Sequence, residues 1–353
     1  MPSYPRAAAV AAGVACLVAL TVPAGSAQDG GPSDQIRRRL AQWQSDPVLT
    51  PFTLAGPGLP APGAARTKIA ICFGVNEVDP AYYGGPNRLG ACESDARSME
   101  ALARQLGFET TIRLTREATS RNLFAHLRDA ATRLQPGDVL IVTYAGHGST
   151  VRDENGDERP NTEDQTWCLY DRMVIDDELG EEWTRFRAGV RIYVVADSCH
   201  SGTSTRALAR GRNPGTRSPG ALTLTQRDAS SDFKVRTLFP EDQKRAEELH
   251  LPAFGGAWRA LPGFARSAER MQASGLLLAG CDDHETSGES GGHGLFTNAL
   301  LQTVADGQFT GTYRELIERA SQKVGARDAN QHPKLFQFGA IAEDIATARP
   351  FAH

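Results

Sequence analysis

Short apolar runs alternate along this chain with segments of helical periodicity, and this alternation constrains the fold more than any other feature. The clearest runs are KIAICFGV at 68–75, DVLIVTY at 138–144, VRIYVVA at 190–196 and GLLLA at 275–279. Runs that are apolar at nearly every position are typical of strands covered on both faces, as in a parallel sheet between two helix layers. We therefore predict an α/β three-layer sandwich with a mostly parallel six-stranded sheet flanked by helices.

The N-terminal part of the chain differs in composition from this alternating part. An apolar run at 7–22, followed by small residues, predicts a signal peptide over 1–27 and therefore an exported protein, periplasmic or secreted. An uncleaved membrane anchor is the alternative, because the run is nearly long enough to span a bilayer. Residues 28–66 end in a stretch rich in Pro, Gly and Ala, which indicates a flexible linker before a domain over 67–345.

Composition and charge exclude some partners. The chain of 353 residues has a net charge of −4 and no long basic run, which argues against nucleic-acid binding because phosphates require a basic face. No stretch after residue 27 is long and apolar enough to span a membrane. One of the six cysteines lies in the leader, so five remain, and at least one thiol cannot pair within the chain. We expect a monomer without an organic cofactor.

Two of the predicted strands end in residues suited to nucleophilic catalysis. YAGHG at 144–148 closes one strand, and DSCHSG at 197–202 follows another. The carboxyl ends of parallel strands share one edge, and adjacent strands lie about 4.8 Å apart, so His147 can take the thiol proton of Cys199. Backbone amides beside the adjacent glycines can hold a carbonyl oxyanion. The pattern therefore predicts a cysteine–histidine dyad.

Other interpretations of these residues stay open. Cys199 could be an ordinary buried cysteine, and His147 a loop histidine with structural hydrogen bonds. His200 is a rival general base, although neighbouring side chains on an extended segment point to opposite faces. A zinc site is a further alternative, with ligands drawn from His147, Cys199, Cys281 and His284.

The two motifs resemble the catalytic motifs of metacaspases, which are caspase-fold cysteine peptidases of plants, fungi, protists and bacteria. The 52-residue spacing between His147 and Cys199 also agrees with the spacing known for caspases. The resemblance extends from about 68 to 338 and implies a caspase-like sandwich in three parts. These are a large-subunit-like part at 67–202, a loop at 203–272 with little regular structure, and a small-subunit-like part at 273–345.

The resemblance implies a role for each site residue. Cys199 would be the nucleophile that forms an acyl-enzyme thioester, His147 the general base and acid, and the amides of Gly148 and Cys199 the oxyanion hole. Cleavage would follow Arg or Lys, because a pocket with two carboxylates favours a cationic side chain. The implied substrate-binding residues are Asp95, Asp197, Cys92 and Asp283.

Calcium is the only cofactor that the resemblance implies, with Asp164, Asp176 and Asp177 as ligands. Clustered carboxylates suit a hard cation. The fourth ligand of the family corresponds to Arg206, a cation, so a solvated acidic loop remains the alternative. Glu285 and Glu289 likewise stand where the family has Gln and Asp.

The function expected from these observations is that of an exported cysteine endopeptidase acting on polypeptides after Arg or Lys. A caspase-like pseudoenzyme that serves as a binding scaffold and a thiol amidase for small molecules are the alternatives. The segment after the catalytic cysteine is rich in Arg, Gly and Pro, so we also expect self-cleavage there. The candidate cleavage sites are Arg206, Arg210, Arg212 and Arg217.

Overall fold

The computed structural model describes the chain over residues 66–157, 163–199, 233–282, 285–305, 309–340 and 344–351. The expected signal peptide and nearly all of the expected linker lie outside the described residues. Within the described part, no helix combines the length and the apolarity needed to cross a bilayer.

The described strands and helices alternate through most of the domain. The strands are β1 (Lys68–Gly74), β2 (Glu109–Leu114), β3 (Val139–Ala145), β4 (Gly148–Arg152), β5 (Glu163–Cys168), β6 (Met173–Ile175), β7 (Arg191–Asp197), β8 (Lys234–Val235), β9 (Ser274–Ala279), β10 (Gly288–Ser290), β11 (His293–Gly294) and β12 (Lys334–Gly339). The helices are α1 (Pro80–Tyr83), α2 (Cys92–Gln105), α3 (Ser120–Arg133), α4 (Asp176–Trp183), α5 (Pro240–Trp258), α6 (Phe264–Arg270), α7 (Leu295–Ala305) and α8 (Tyr313–Gly325).

Six of the strands form the central sheet. Their order is β12-β9-β7-β3-β1-β2, and β12 alone runs antiparallel to its neighbour. Alternate residues of each central strand enter different hydrophobic cores. In β3, Leu140 and Val142 contribute to one core, whereas Val139 and Ile141 contribute to the other. Helices α3 to α6 cover the first core and α2, α7 and α8 cover the second, so the predicted three-layer α/β sandwich is confirmed.

The prediction of an irregular loop over 203–272 is wrong for the described part of that segment, which contains β8, α5 and α6. In α5, His250, Phe254 and Trp258 are all buried, at a spacing of four that puts them on one helix face. Pro252 and two glycines lie within the same helix and obscure this periodicity in the sequence. Packing of the buried face against the first core stabilises the helix in spite of these residues.

Two three-stranded sheets accompany the central sheet. One has the order β4-β5-β6 and begins directly after His147. The other has the order β11-β10-β8 and joins residues 234–235 to residues 288–294. All pairs within both sheets are antiparallel. The second sheet therefore brings the chain before α5 against the chain before α7.

Candidate active site

Adjacent parallel strands place the two candidate catalytic residues side by side. Strands β3 and β7 pair in register up to Ala145 opposite Asp197. His147 and Cys199 each lie two positions beyond this last pair, and both are buried. A Cβ atom at Gly148 would lie only 1.7 Å from the carbonyl oxygen of Cys199, so the two loops are in direct contact. Strands β3 and β7 are neighbours in the sheet, so the two strand ends lie together as predicted.

Backbone groups fix the His147 ring. Its Nε2 donates a hydrogen bond of 2.6 Å to the carbonyl of Asn87, which leaves Nδ1 as the unprotonated nitrogen. Nδ1 is buried and has no hydrogen-bond partner among the described atoms. Burial lowers the pKa of His147 to about 4, although the Asn87 carbonyl and the backbone of Thr237 and Arg236 act in the opposite direction. The ring is therefore neutral and has a free lone pair.

The Cys199 thiol is enclosed as well. Its Sγ accepts a hydrogen bond of 3.0 Å from the amide of Ser287 and lies 3.7 Å from the carbonyl of the same residue. Burial raises the pKa of Cys199 to about 12. No hydrogen bond joins Sγ to the His147 ring in the described part of the chain. In this conformation the pair is a neutral thiol beside a neutral imidazole.

Arg236 occupies the space between these groups, and sequence reasoning missed it. Its amide donates to the carbonyl of Ser287 at 2.8 Å. Its own carbonyl accepts from the amides of Gly148 at 2.9 Å and Cys199 at 3.3 Å. These are the two amides predicted to form the oxyanion hole, and they converge here on the carbonyl of one arginine. Strand β8, directly before Arg236, pairs antiparallel with β10 as an extended peptide would.

The Arg236 side chain enters a pocket of carboxylates and is 0% exposed. Nη2 contacts Asp95 and lies 3.4 Å from Glu289 Oε2, and Nη1 lies 3.2 Å from Asp197 Oδ2. Cys92 Sγ lies 3.8 Å from the same Glu289 oxygen. The structure thus gathers three of the four predicted pocket residues, while Asp283 lies outside the described residues. Glu289 is a third carboxylate, which the sequence marked as a departure from the family pattern without assigning it to the pocket.

Neighbouring donors hold the pocket carboxylates in place. Asp197 Oδ2 accepts from the Thr297 amide at 2.8 Å and hydroxyl at 2.7 Å, and Oδ1 accepts from the Ser287 hydroxyl at 2.6 Å. Asp95 accepts from the Gly294 amide at 3.0 Å, and its Oδ1 lies 2.8 Å from His293 Nδ1. Asp95 and Asp197 are therefore each held by donors other than the Arg236 guanidinium.

The predicted calcium ligands form a separate cluster. Asp164, at the start of β5, and Asp176 and Asp177, at the start of α4, are all buried, and one carboxylate oxygen from each lies within 4.8 Å of the others. Asp164 also groups with the less buried Asp153 and Asp157 in the same way. The candidate metal groups among the described residues contain carboxylates alone, which gives no support to the zinc alternative. His200, His284 and Arg206 lie outside the described residues.

Asn87 is a second residue that the sequence did not reveal. It has a positive φ of 43°, and its side chain donates to the carbonyl of Gly85 and to Asp242, both at 3.0 Å. This anchored turn presents the carbonyl that holds His147. The sequence GGPN at 84–87 indicates a turn but carries no sign that it reaches His147.

Comparison with known proteins agrees with this geometry. A family model described as "Caspase domain" matches residues 67–339. Metacaspase-1 of Scheffersomyces stipitis is 26% identical over 269 residues, covering 66% of this chain and 60% of that protein. Metacaspase-1 of Arabidopsis thaliana is 27% identical over 284 residues, covering 76% of this chain and 64% of that protein. The chain thus spans about three fifths of the length of these curated relatives.

A solved structure is also similar. A crystal structure of a protein from Geobacter sulfurreducens superposes with a TM-score of 0.66 at 32% sequence identity, covering 81% of this chain and 98% of that one. The match to the caspase-domain model covers 67–339, which is most of the chain and nearly all of its described residues. The chain therefore belongs to the caspase-domain family of cysteine peptidases, with metacaspases among its relatives.

Proposed function

We propose that this protein is a cysteine endopeptidase that cleaves peptide bonds after arginine, and less readily after lysine. A single observation carries the proposal. Arg236 lies in the site as the residue before a cleaved bond would, with its carbonyl on two backbone amides and its guanidinium on three carboxylates. The backbone at the Arg236–Thr237 peptide bond lies close to His147 as well.

The reaction begins with transfer of the Cys199 proton to Nδ1 of His147, the nitrogen left free by the hydrogen bond to Asn87. The thiolate attacks the arginyl carbonyl carbon, and the amides of Gly148 and Cys199 stabilise the oxyanion. His147 then gives its proton to the departing amine as the C–N bond breaks, which leaves a thioester. Water, deprotonated by His147, hydrolyses the thioester and restores the thiol.

The pocket supports a preference for arginine over lysine. A guanidinium presents donors in a planar fork, and Arg236 uses that fork to reach Asp95, Asp197 and Glu289 at once. A lysine ammonium is a single point charge and cannot contact all three carboxylates with similar geometry. An acidic side chain would be repelled by the same three groups.

Hydrolysis of synthetic peptides tests the assignment. We expect release of a fluorogenic amine from a peptide ending in Arg, slower release after Lys, and none after Asp. Cys199→Ala and His147→Ala should each lower the rate on the order of 10³-fold or more, because the two groups act as a unit. Cleavage that persists in both variants would contradict the mechanism, and an inactive wild-type protein would favour a binding scaffold.

Self-cleavage is a further part of the proposal. The four arginines expected from the sequence, at 206, 210, 212 and 217, lie outside the described residues. The arginine that occupies the site is Arg236, so we propose that the chain also hydrolyses its own Arg236–Thr237 bond. N-terminal sequencing of fragments should find a new terminus at Thr237 in active protein and none in Cys199→Ala. An intact active enzyme, or the same fragments in the Cys199→Ala protein, would refute self-cleavage.

Calcium binding to Asp164, Asp176 and Asp177 also remains a proposal. Three buried carboxylates whose oxygens lie within 4.8 Å of one another suit a hard cation with oxygen ligands at about 2.3–2.6 Å. A bound calcium ion would neutralise these charges where β5 meets the start of α4. Calorimetry with calcium chloride should detect binding to the Cys199→Ala protein and not to Cys199→Ala carrying Asp176→Asn. Equal heats in the two proteins would contradict the site.

A further inference from the structure

The segment before Thr237 lies in the site as an extended peptide with a defined register. Lys234 pairs with Glu289 and Val235 pairs with Gly288, both antiparallel. The Arg236 amide continues the ladder to the carbonyl of Ser287 at 2.8 Å. Lys234 and Val235 therefore face known positions of β10, and the neighbours of each side chain in the segment identify what the groove accepts there.

Side chains of the segment alternate between two faces, as they must in an extended strand. Arg236 and Lys234 share one face. Arg236 fills the carboxylate pocket, and Lys234 is exposed, with Nζ 3.4 Å from the Arg88 carbonyl. Val235 and Phe233 share the other face and are half-buried. Phe233 packs against the second hydrophobic core of the domain.

Gly288 provides the space that the Phe233 ring occupies. A Cβ atom at Gly288 would lie 2.4 Å from Cζ of Phe233 and 2.6 Å from Cε2, far inside van der Waals contact. The backbone of Gly288 has no positive φ, so its conformation does not require glycine. Its amide, which donates to Gln331 Oε1 at 3.0 Å, would be retained by alanine. The close approach of the aromatic ring is thus the feature that calls for glycine here.

We propose that this enzyme selects substrates with an aromatic side chain three residues before the cleaved arginine, and that Gly288 is the residue that sets this preference. The inference rests on the proposed function, and it names the substrate class of that site as aromatic-x-x-Arg. The chain's own Phe233–Lys234–Val235–Arg236 is the first example. Lys234 is exposed, and the half-buried Val235 lies directly opposite Gly288, which offers it no side chain.

Two peptides that differ at one position test the preference. The fluorogenic amides Phe-Lys-Val-Arg and Ala-Lys-Val-Arg are each incubated with the wild-type enzyme, with Gly288→Ala and with Gly256→Ala, and kcat/KM is measured for every combination. Wild type should favour the Phe peptide in kcat/KM on the order of 10-fold, the scale of half-burying an aromatic ring. In Gly288→Ala the ratio should fall to one or below. Gly256→Ala, where an added Cβ meets nothing within 4 Å, should keep the wild-type ratio.

The outcomes separate this inference from the function on which it rests. Cleavage of both arginine peptides at equal kcat/KM by wild type would overturn the aromatic preference while the arginine-specific peptidase stands. A wild-type ratio that survives in Gly288→Ala would overturn the role of Gly288. Cleavage of neither peptide would overturn the proposed function and this inference with it.

The chain itself offers a second measurement. Phe233→Ala should slow self-cleavage at Arg236–Thr237 by a factor similar to that found for the peptides. Lys234→Ala is the matched control, because its side chain is exposed on the opposite face. Equal slowing by both variants would show a general effect on the segment and would refute selection of the ring.

Discussion

Removal of the Arg236 side chain should release the thiol of Cys199. The single positive charge of the guanidinium offsets part of the negative charge of Asp95, Asp197 and Glu289, all of them buried. Without it, three negative charges would remain together in a site of low polarity, which costs several kcal/mol unless water enters. Strand β8 pairs with β10 over two residues, so the contacts of Arg236 supply much of what holds the segment in the groove. We therefore expect the segment of Arg236→Ala to leave the groove and water to replace it.

The expected change in the alkylation rate of Cys199 follows from the pKa of its thiol. Burial raises the pKa of Cys199 from 9.0 to about 12, whereas the charge and the backbone of Arg236 lower it. A gain in thiolate therefore requires that the segment leave and that water reach the thiol. Complete solvation of the thiol would return the pKa to 9.0 and raise the thiolate fraction near neutral pH tenfold for each of the three pH units, so the upper limit is on the order of 10³-fold. Alkylation requires the thiolate, so its rate should rise by a similar factor.

The assay is iodoacetamide labelling at pH 7.5, with Cys199 followed by peptide mass spectrometry. All proteins carry His147→Ala so that none can cut itself. Arg236→Lys, which keeps one positive charge, should label at an intermediate rate. Arg259→Ala, which removes an exposed arginine directly after α5 and its contact with Glu154, is the control and should label as slowly as the parent. Equal labelling rates for Arg236→Ala and its parent would refute the reasoning.

Three other changes probe the site and its stability. Gly148→Ala should lower peptidase activity at least 10²-fold, because its Cβ would lie 1.7 Å from the Cys199 carbonyl, and unchanged activity would contradict the loop contact. Glu289→Gln should lower kcat/KM for arginine peptides roughly tenfold, the scale of one charge-assisted hydrogen bond, and an unchanged value would remove Glu289 from the pocket. His147 and His250 are buried with pKa values lowered by burial to about 4, whereas an unfolded histidine titrates near 6.5. The unfolded state therefore binds protons first, and the free energy of unfolding should fall by roughly 3 kcal/mol per histidine as pH drops from about 6.5 to 4. Denaturant titrations should show this loss, and His250→Gln should remove about half of it.

Local patterns in the sequence were sufficient for the sheet and for the placement of the dyad. The apolar runs that became β1, β3, β7 and β9 are apolar because helices cover both of their faces, and that property is visible residue by residue. Parallel strands of one sheet end at the same edge, so locating the ends of two neighbouring strands was enough to bring His147 and Cys199 together. The resemblance to metacaspases named the acidic pocket, and the structure gathers Asp95, Asp197 and Cys92 there.

Local patterns failed where structure depends on distant partners. Helix α5 contains Pro252 and two glycines, and it is stabilised by what its buried face touches, so its sequence resembles a loop. Asn87 lies 60 residues before His147 and contributes only a carbonyl, which every residue possesses. Such a contact leaves no residue type by which the sequence could reveal it.

By itself, the sequence determined the α/β sandwich and the two strand ends that carry the thiol and the imidazole. Local periodicity was enough for this, because it indicates which residues are buried and in which direction each strand runs. Only the tertiary structure decided what fills the space between them. Arg236 is one arginine among many in the sequence, and its position depends on the pairing of β8 with β10, two short segments more than fifty residues apart. The three carboxylates that receive it come from separate elements, the start of α2, the end of β7 and the middle of β10. Charged groups form an enclosed pocket only when folding brings them together and excludes water, and no pattern along the chain encodes that exclusion.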